Sequence, residues 1–428
     1  MDRDTKEPFC TWLRGPPAER RDGFGAMSHN RLTGFETELE TLLKRFGAGQ
    51  RAHSGSRVGL CIVATIVNLR QLERVYGSIF AMTARQVLRE RARELCREYS
   101  GIVAMSGEHM LFAFDVLPHV RGALDTLPSR LLDIILIRLS ERPVRYGQAV
   151  AFPVFEAGIA HFDDKPFDIA SVNAASRIDA AARDEWREAF VADTRVAESV
   201  FGAMNDGRLD FDFERICDAK KPSATLYQEA LLCKMGDAYR ERTRIGSEIC
   251  ALERLGVVRC LDRWVVQTII DRLRANPAAR LGCNISTRSA VLDGWWALIV
   301  TTLAVEPNVA SRLTIEITET FPLANLDATR EFVAVLQSLG CRVALDDVGH
   351  DFGSLRNLIT LDADIAKLDR SLIARCRHDE AAAARFAQLI ELVKVCADSI
   401  VVEGIETESD AQTACSSGAT GLQGYLYS

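Results

Sequence analysis

The second half of the chain alternates short apolar segments with helical segments, and this alternation is the feature that most limits the possible folds. Strands are predicted at residues 224–231, 281–285, 313–317, 342–345, 365–368 and 399–402. Helical periodicity fills the gaps between them, for example over 261–273 and 328–339. Such a regular alternation favours a closed, TIM-like (β/α) barrel. A doubly wound open sheet is the competing topology, although no Gly-x-Gly-x-x-Gly motif follows a first strand.

Polar residues occur near the ends of these apolar strands. Successive side chains of a strand point to opposite faces, so Glu316 should face the barrel interior while Ile315 and Ile317 pack under the helices. The same alternation places Asp346 opposite its apolar neighbours Val343 and Leu345. Similar positions at the other strands are held by Glu229, Asn284, Lys367 and Glu403. We therefore expect several carboxylates at one mouth of the barrel.

Carboxylates gathered at one mouth repel each other unless a cation neutralises them. Oxygen ligands of this kind suit Mg²⁺, Mn²⁺ or Ca²⁺ rather than a thiol-binding metal. The adjacent pair Asp346-Asp347 is informative, because one of the two can bridge two ions, and paired ions suit in-line phosphoryl hydrolysis. For any single carboxylate, a solvated strand end or a structural ion pair is the alternative. The whole set favours a metal site.

These polar residues belong to short motifs that resemble those of a known family. The motifs are Glu229-Ala230-Leu231, Asn284-Ile285-Ser286, Glu316-Ile317-Thr318-Glu319, Asp346-Asp347-Val348-Gly349, Lys367-Leu368-Asp369, Glu403-Gly404-Ile405-Glu406 and Gln423-Gly424-Tyr425. Their order and spacing over residues 205–428 resemble the EAL family, which comprises cyclic di-GMP phosphodiesterases and inactive receptor relatives. The resemblance implies a barrel domain that binds cyclic di-GMP.

The resemblance also implies roles for individual residues. A two-metal site for Mg²⁺ or Mn²⁺ would be held by Glu229, Asn284, Glu316, Asp346 and Asp347. Lys367 would activate or orient the attacking water, with Glu229 and Glu403 completing the catalytic set. Leu231, Gln423 and Glu406 are expected around the nucleotide or in support of the neighbouring loops. The implied reaction opens one phosphodiester bond in line and gives linear pGpG.

Three departures from the family pattern bear on this expectation. The family usually has an arginine that contacts substrate phosphate two positions after Leu231, where this chain has Cys233. A substrate-contacting Gln-Pro pair is replaced by Glu214-Arg215, and the loop at 348–354 is altered. The missing arginine predicts weaker phosphate binding, and the altered loop bears on turnover more than on metal binding. They make a non-hydrolysing cyclic di-GMP receptor the main alternative, and a scaffold that binds neither metal nor nucleotide the third.

Residues 57–195 are predicted to form a separate α+β domain. Strands are expected at 59–67 and 149–159, helices at 81–96 and 169–190, and a hairpin at 102–114. The segment resembles a degenerate GGDEF domain, the diguanylate cyclase fold. Thr65 and Arg74 occupy positions where that family usually has Asp, and residues 106–110 replace its signature loop. The resemblance therefore implies a catalytically inactive, regulatory domain.

Residues 1–56 are predicted to be a disordered tail followed by a short helix. That helix carries one apolar face over 32–46, which packs on its own domain or dimerises, and we expect a homodimer. The net charge of −7 and the lack of a basic stripe argue against a DNA or RNA duplex as partner. The twelve cysteines show no zinc spacing, no secretory signal is apparent and the apolar stretch 295–305 is too short for a membrane span. These features predict a cytoplasmic protein.

Overall fold

The computed structural model describes residues 58–116, 127–160, 183–236, 242–318, 323, 325–349 and 352–427. The chain divides into two compact units, Met1–Ala181 and Ala182–Ser428. The predicted tail and helix of residues 1–56 lie outside the described residues, so the homodimer expected from that helix stays a prediction. No helix in the described ranges is both long and apolar enough to cross a membrane.

The first unit combines an antiparallel sheet with helices. Its elements are β1 (Val58–Ile66), α1 (Leu69–Tyr76), α2 (Ser78–Glu98), β2 (Gly101–Ser106), β3 (His109–Val116), α3 (Leu127–Ser140), β4 (Val144–Tyr146), β5 (Ala149–Ala151) and β6 (Phe155–Ala160). The main sheet has the order β2-β3-β1-β6, and every neighbouring pair in it is antiparallel. Consecutive residues of the central strands are buried, 60–66 on β1 and 110–114 on β3, so both faces of these strands are covered.

Two of the predictions for this unit concern its strands. The hairpin predicted at 102–114 is confirmed, and Gly107 supplies the positive φ of 61° that its two-residue turn requires. The single strand predicted at 149–159 is wrong. The structure has two separate strands there, because Pro153 lacks the backbone N–H that a continuous ladder needs. Part of the helix predicted at 169–190 lies outside the described residues.

The second unit contains the barrel. Its elements are α4 (Arg183–Asn205), β7 (Leu209–Asp218), β8 (Thr225–Met235), β9 (Arg242–Arg244), α5 (Gly246–Leu255), α6 (Val258–Ala275), β10 (Leu281–Ser286), α7 (Ala297–Val305), α8 (Pro307–Ala310), β11 (Leu313–Thr318), α9 (Leu326–Ser338), β12 (Arg342–Val348), α10 (Phe352–Leu361), β13 (Ile365–Leu368), α11 (Arg370–Cys376), α12 (Glu380–Val393), β14 (Ser399–Val402), α13 (Glu408–Ser417) and β15 (Gly421–Leu422). A short 3₁₀ turn, Tyr425–Tyr427, follows.

Eight of these strands close into a ring, so the predicted barrel is confirmed. The order is β8-β10-β11-β12-β13-β14-β15-β7, and β7 pairs back with β8, while β9 extends β8 outside the ring. The barrel is not fully parallel, because β7 runs antiparallel to both of its neighbours. Sequence analysis missed this strand. Its inward residues include the charged Asp212 and Glu214, which mask the apolar strand pattern.

The barrel interior has an apolar layer below a polar layer. Ile216, Tyr227, Ala344, Ile365 and Val401 form a buried cluster that fills the lower part. Residues two positions further along β8, β12 and β13, and just past the end of β14, share the inward face and form the polar layer above it. The fold thereby places polar side chains from several strands at the same depth, at the carboxyl ends of the parallel strands, where barrel enzymes carry their sites.

Candidate metal centre

The polar layer is organised around a buried lysine. The Nζ atom of Lys367 lies 3.0 Å from Glu229 Oε2, 2.7 Å from Glu316 Oε2, 3.1 Å from Asp346 Oδ1 and 2.8 Å from Glu403 Oε1. Lys367 is fully buried. Four carboxylates from four different strands or strand ends therefore meet at one ammonium group, which cannot neutralise all of them.

Glu229 is the best-supported member of the cluster. Its Oε1 accepts a 2.6 Å hydrogen bond from Asn284 Nδ2, and its Oε2 accepts one of 2.7 Å from Gln423 Nε2. Burial raises the pKa of Glu229, but the charge of Lys367 and the hydrogen bonds from Gln423 and Asn284 outweigh burial and lower that pKa. Glu229 is therefore held as a carboxylate in a fixed orientation.

Two other carboxyl groups show the opposite behaviour. Burial raises the pKa of Glu316 to about 8. The negative charges of Glu229 and Asp346 act in the same direction, and the positive charge of Lys367 opposes them without cancelling the effect. Burial likewise raises the pKa of Glu403 well above its usual value. The cluster thus carries more acidic groups than its one lysine can keep ionised, as expected of a site that binds further cations.

The acidic groups fall into two ligand sets that share one residue. Glu229, Glu316 and Asp346 offer carboxylate oxygens within 4.8 Å of one another, and so do Asp346, Asp347 and Glu403. A shift in strand register between Leu345 and Val348 allows the two consecutive aspartates to take part. Asp347 adopts a left-handed conformation with a φ of 55°, which is uncommon for a residue other than glycine. Backbone strain at this position is typical of functional sites.

The donor atoms fit divalent cations. Asn284 Oδ1 and Glu316 Oε1 are buried and accept no hydrogen bond from the residues that the structure describes. Buried oxygens of this kind normally have a partner, and an ion can supply it. Gly282 leaves room for this arrangement, because a Cβ atom there would collide with Glu316 Oε1. Five carboxylates and one lysine leave a charge that two divalent cations would balance.

The remaining predicted site residues lie at different distances from the cluster. Gln423 is part of the cluster, because its Nε2 donates a hydrogen bond to Glu229 Oε2. Leu231 is half-buried on β8, two positions beyond Glu229 and on the same face. Glu406 is exposed in the loop after β14, where its Oε2 lies 2.9 Å from Arg377 Nη1. Arg377 also pairs with Asp410, which caps α13, so Glu406 contributes to the fixation of this loop.

Sequence analysis did not identify every polar residue near the site. Arg244 on β9 lies 2.6 Å from Glu214 Oε1, and Glu214 Oε2 accepts a 3.2 Å hydrogen bond from Gln423. The sequence marks Glu214 only as a departure from the family pattern. The signal available for it was the alternation of acidic and aromatic residues along β7, whereas no sequence pattern indicated Arg244.

Comparison with known proteins supports the same family. A family model for the EAL domain matches residues 197–428. The cyclic di-GMP phosphodiesterase PdeF of Escherichia coli K12 is 27% identical over 205 residues, which are 47% of this chain and 27% of PdeF. The bifunctional diguanylate cyclase/cyclic di-GMP phosphodiesterase MucR of Pseudomonas aeruginosa is 28% identical over 182 residues, which are 41% of this chain and 26% of MucR. The chain thus spans about a quarter of the length of these relatives.

Solved structures of EAL-domain proteins are also similar to this chain. The PaMucR phosphodiesterase in complex with c-di-GMP aligns with a TM-score of 0.48 and 23% identity, covering 54% of this chain and 96% of that structure. The family model itself accounts for more than half of the chain and includes the whole barrel. This protein therefore belongs to the EAL-domain family.

Proposed function

We propose that this protein is a metal-dependent phosphodiesterase that hydrolyses cyclic di-GMP to linear pGpG. The observation that carries the proposal is the cluster in which Lys367 Nζ lies within 3.1 Å of four carboxylates. A structural ion pair needs one acid for one lysine, whereas this mouth gathers a clear excess of acids. Membership of the EAL family and the names of the curated relatives support cyclic di-GMP as the substrate.

Each residue of the cluster has a proposed role. Glu229, Asn284, Glu316 and Asp346 would hold one divalent cation, and Asp346 with Asp347 would hold a second. When bound, the cations would neutralise the phosphodiester and lower the pKa of a water molecule. Lys367 would hold and orient that water through its ammonium group, with Glu403 beside it. Gln423 keeps the Glu229 carboxylate in position through its hydrogen bond.

We further propose that the first unit is a GGDEF-like domain without cyclase activity. Its antiparallel sheet, flanked by helices, is compatible with that class. At the hairpin end of β1 and β3, Thr65 Oγ1 lies 2.9 Å from His109 Nδ1, a neutral pair that provides no carboxylate for a metal-bound triphosphate. A regulatory role is the function we assign to this unit.

The phosphodiesterase proposal is tested by incubating the purified chain with cyclic di-GMP and Mg²⁺ or Mn²⁺ and separating the nucleotides. We expect pGpG to appear only with metal. Glu229→Ala should abolish its formation while the protein stays folded, because this residue supports the first cation. Glu391→Ala is the matched control, since that carboxylate is exposed and pairs only with Lys394 among the described residues. Unchanged turnover in Glu229→Ala would exclude the proposed site.

The second candidate is a receptor that binds cyclic di-GMP without hydrolysing it. The specific observation in its favour is Cys233, whose fully buried thiol stands where a phosphate-contacting arginine is usual. A thiol carries no positive charge, and the Sγ of Cys233 lies 3.1 Å from Asp212 Oδ2. Binding without pGpG formation, in the presence of either metal, would establish this alternative and exclude the enzyme.

A further inference from the structure

A charged ribbon extends from the barrel beside the acidic cluster. It consists of β7, β8 and β9, in that order. Glu214 is directly opposite Glu229, Asp210 is opposite Cys233, and Cys233 is opposite Arg244 on the other side. Directly opposed residues of antiparallel strands point to the same face. The face that carries Glu229 thus continues onto β9 and ends in an arginine.

Arginine side chains of β9 reach across β8 to acids of β7. Arg244 Nη2 lies 2.6 Å from Glu214 Oε1. Arg242 Nη2 lies 2.6 Å from Asp210 Oδ2, and its Nη1 lies 2.9 Å from Asp212 Oδ1. Cys233 lies between these partners and is fully buried. A small side chain at that position leaves room for the two arginines to cross the middle strand.

The pair formed by Arg244 and Glu214 is linked to the acidic cluster. Gln423 Nε2 lies 3.2 Å from Glu214 Oε2 and 2.7 Å from Glu229 Oε2. Arg244 is therefore separated from a cluster carboxylate by one glutamate and one glutamine. Its side chain is 56% exposed and that of Glu214 is 27% exposed, so an anion arriving from solvent can reach the guanidinium.

We propose that Arg244 binds a phosphate group of the substrate and that Glu214 is an internal competitor for the same guanidinium. This inference rests on the proposed function, because it assumes a phosphodiester bound at the cluster. Arginine pairs with phosphate through two parallel hydrogen bonds, as it does with a carboxylate. A phosphate at the mouth would take the place of the Glu214 carboxylate, and Glu214 would retain its hydrogen bond from Gln423.

Other cationic side chains of the ribbon fit this role less well. Arg242 pairs with two carboxylates, Asp210 and Asp212, rather than with Glu214. Lys234 Nζ donates a 2.8 Å hydrogen bond to Ser199 Oγ on α4. Arg215 Nε donates to Thr225 Oγ1, and Arg215 has the opposite strand parity to Glu214. Arg244 instead pairs with Glu214, which is joined to the cluster carboxylate Glu229 through Gln423.

The test is a set of binding isotherms of the full chain with cyclic di-GMP, in Ca²⁺ to slow turnover. Arg244→Ala should weaken binding roughly fivefold to twentyfold, which is at the low end for a charged hydrogen bond because the side chain is partly exposed. Arg244→Lys should recover part of the loss, because it keeps the charge but not the fork. Glu214→Gln should tighten binding about threefold, since the competitor loses its charge.

Arg242→Ala is the matched control. It removes the same charge from the same strand and should change affinity less than twofold. Equal losses in Arg242→Ala and Arg244→Ala would show a general charge effect and overturn the assignment, as would tight binding by Arg244→Ala. If the unmodified chain binds no cyclic di-GMP with any metal, both this inference and the proposed function fail. Binding that does not respond to Arg244 or Glu214 removes this inference alone.

Discussion

Replacing the central lysine tests the electrostatic reasoning about the cluster most directly. Lys367→Met keeps the length of the side chain but removes the ammonium group that contacts the four carboxylates. Removing one partner of a buried ion pair costs about 3–5 kcal/mol, because the other charge stays buried without compensation. We expect a loss of this size in the free energy of unfolding of the metal-free barrel.

The loss should depend on metal and on pH. Divalent cations would neutralise the carboxylates in place of the lysine, so Mg²⁺ or Mn²⁺ should restore much of the stability of Lys367→Met while turnover stays abolished. Lower pH should also reduce the loss, because carboxyl groups deprived of the ammonium take up protons instead. The deficit should therefore be larger at pH 8 than at pH 6 in the presence of a chelator.

Tryptophan fluorescence can follow this unfolding. Four of the five tryptophans, at positions 186, 264, 295 and 296, lie in the unit Ala182–Ser428, so their emission reports mainly on the barrel unit. A loss of 3–5 kcal/mol corresponds to a shift in Tm on the order of 10 °C for a unit of this size. Lys394→Met, which removes a partly exposed lysine, should shift it little. A metal-free stability equal to that of the parent would refute the reasoning.

Three further predictions concern the cluster and the first unit. The pKa of Glu316 is raised from 4.5 to about 8. This group therefore stabilises the metal-free fold fully below pH 4.5 and loses that contribution as the pH rises through about 8. Calorimetry should show that metal binding tightens as the pH rises to about 8 and that binding releases protons. Gly282→Ala should lower the free energy of unfolding by about 1–3 kcal/mol and weaken metal binding, because the new Cβ would collide with Glu316 and lie 2.7 Å from the Tyr227 ring. Gly202→Ala is the control, since nothing lies within 4 Å of a Cβ at that position. In the same chemical unfolding assay it should be neutral or stabilising. Incubation of the full chain with labelled GTP and Mg²⁺ should yield neither cyclic di-GMP nor pGpG, and the appearance of either would contradict an inactive first unit.

The sequence predicts the parallel part of the barrel well, because those strands follow simple physical rules. The strand predicted at 365–368 has the observed bounds of β13, and 399–402 has those of β14. Both are short apolar runs between clear helices, so burial on two sides dominates their composition. Alternation of side chains then brings Lys367 and Glu403 towards the same interior without any knowledge of the pairing partners.

The first barrel strand escapes this reasoning for a physical reason. Residues Leu209–Asp218 carry acids on the inward face, where a strand of an ordinary core would carry apolar residues. Those acids are satisfied by arginines from α6 and β9, such as Arg272, whose Nη2 lies 2.5 Å from Asp210 Oδ1. Such pairs join residues that are distant in the chain, and no local pattern reveals them. The contact of Arg244 with Glu214 could not be predicted for the same reason, because the two residues are distant in the chain.

The charge of the cluster constrains both candidate functions in the same way. Cyclic di-GMP carries two anionic phosphodiesters, and the described residues of the mouth bring five acidic groups together with one buried lysine. At short range in a poorly solvated site, such like charges repel strongly. A nucleotide can therefore approach this mouth only after cations have neutralised the negative charge of the mouth, whether hydrolysis follows or not. We expect binding itself to require divalent metal in an enzyme and in a receptor, and only turnover to depend in addition on Lys367. Full-affinity binding in a chelator would place the nucleotide away from the acidic cluster and would argue against both functions at this site.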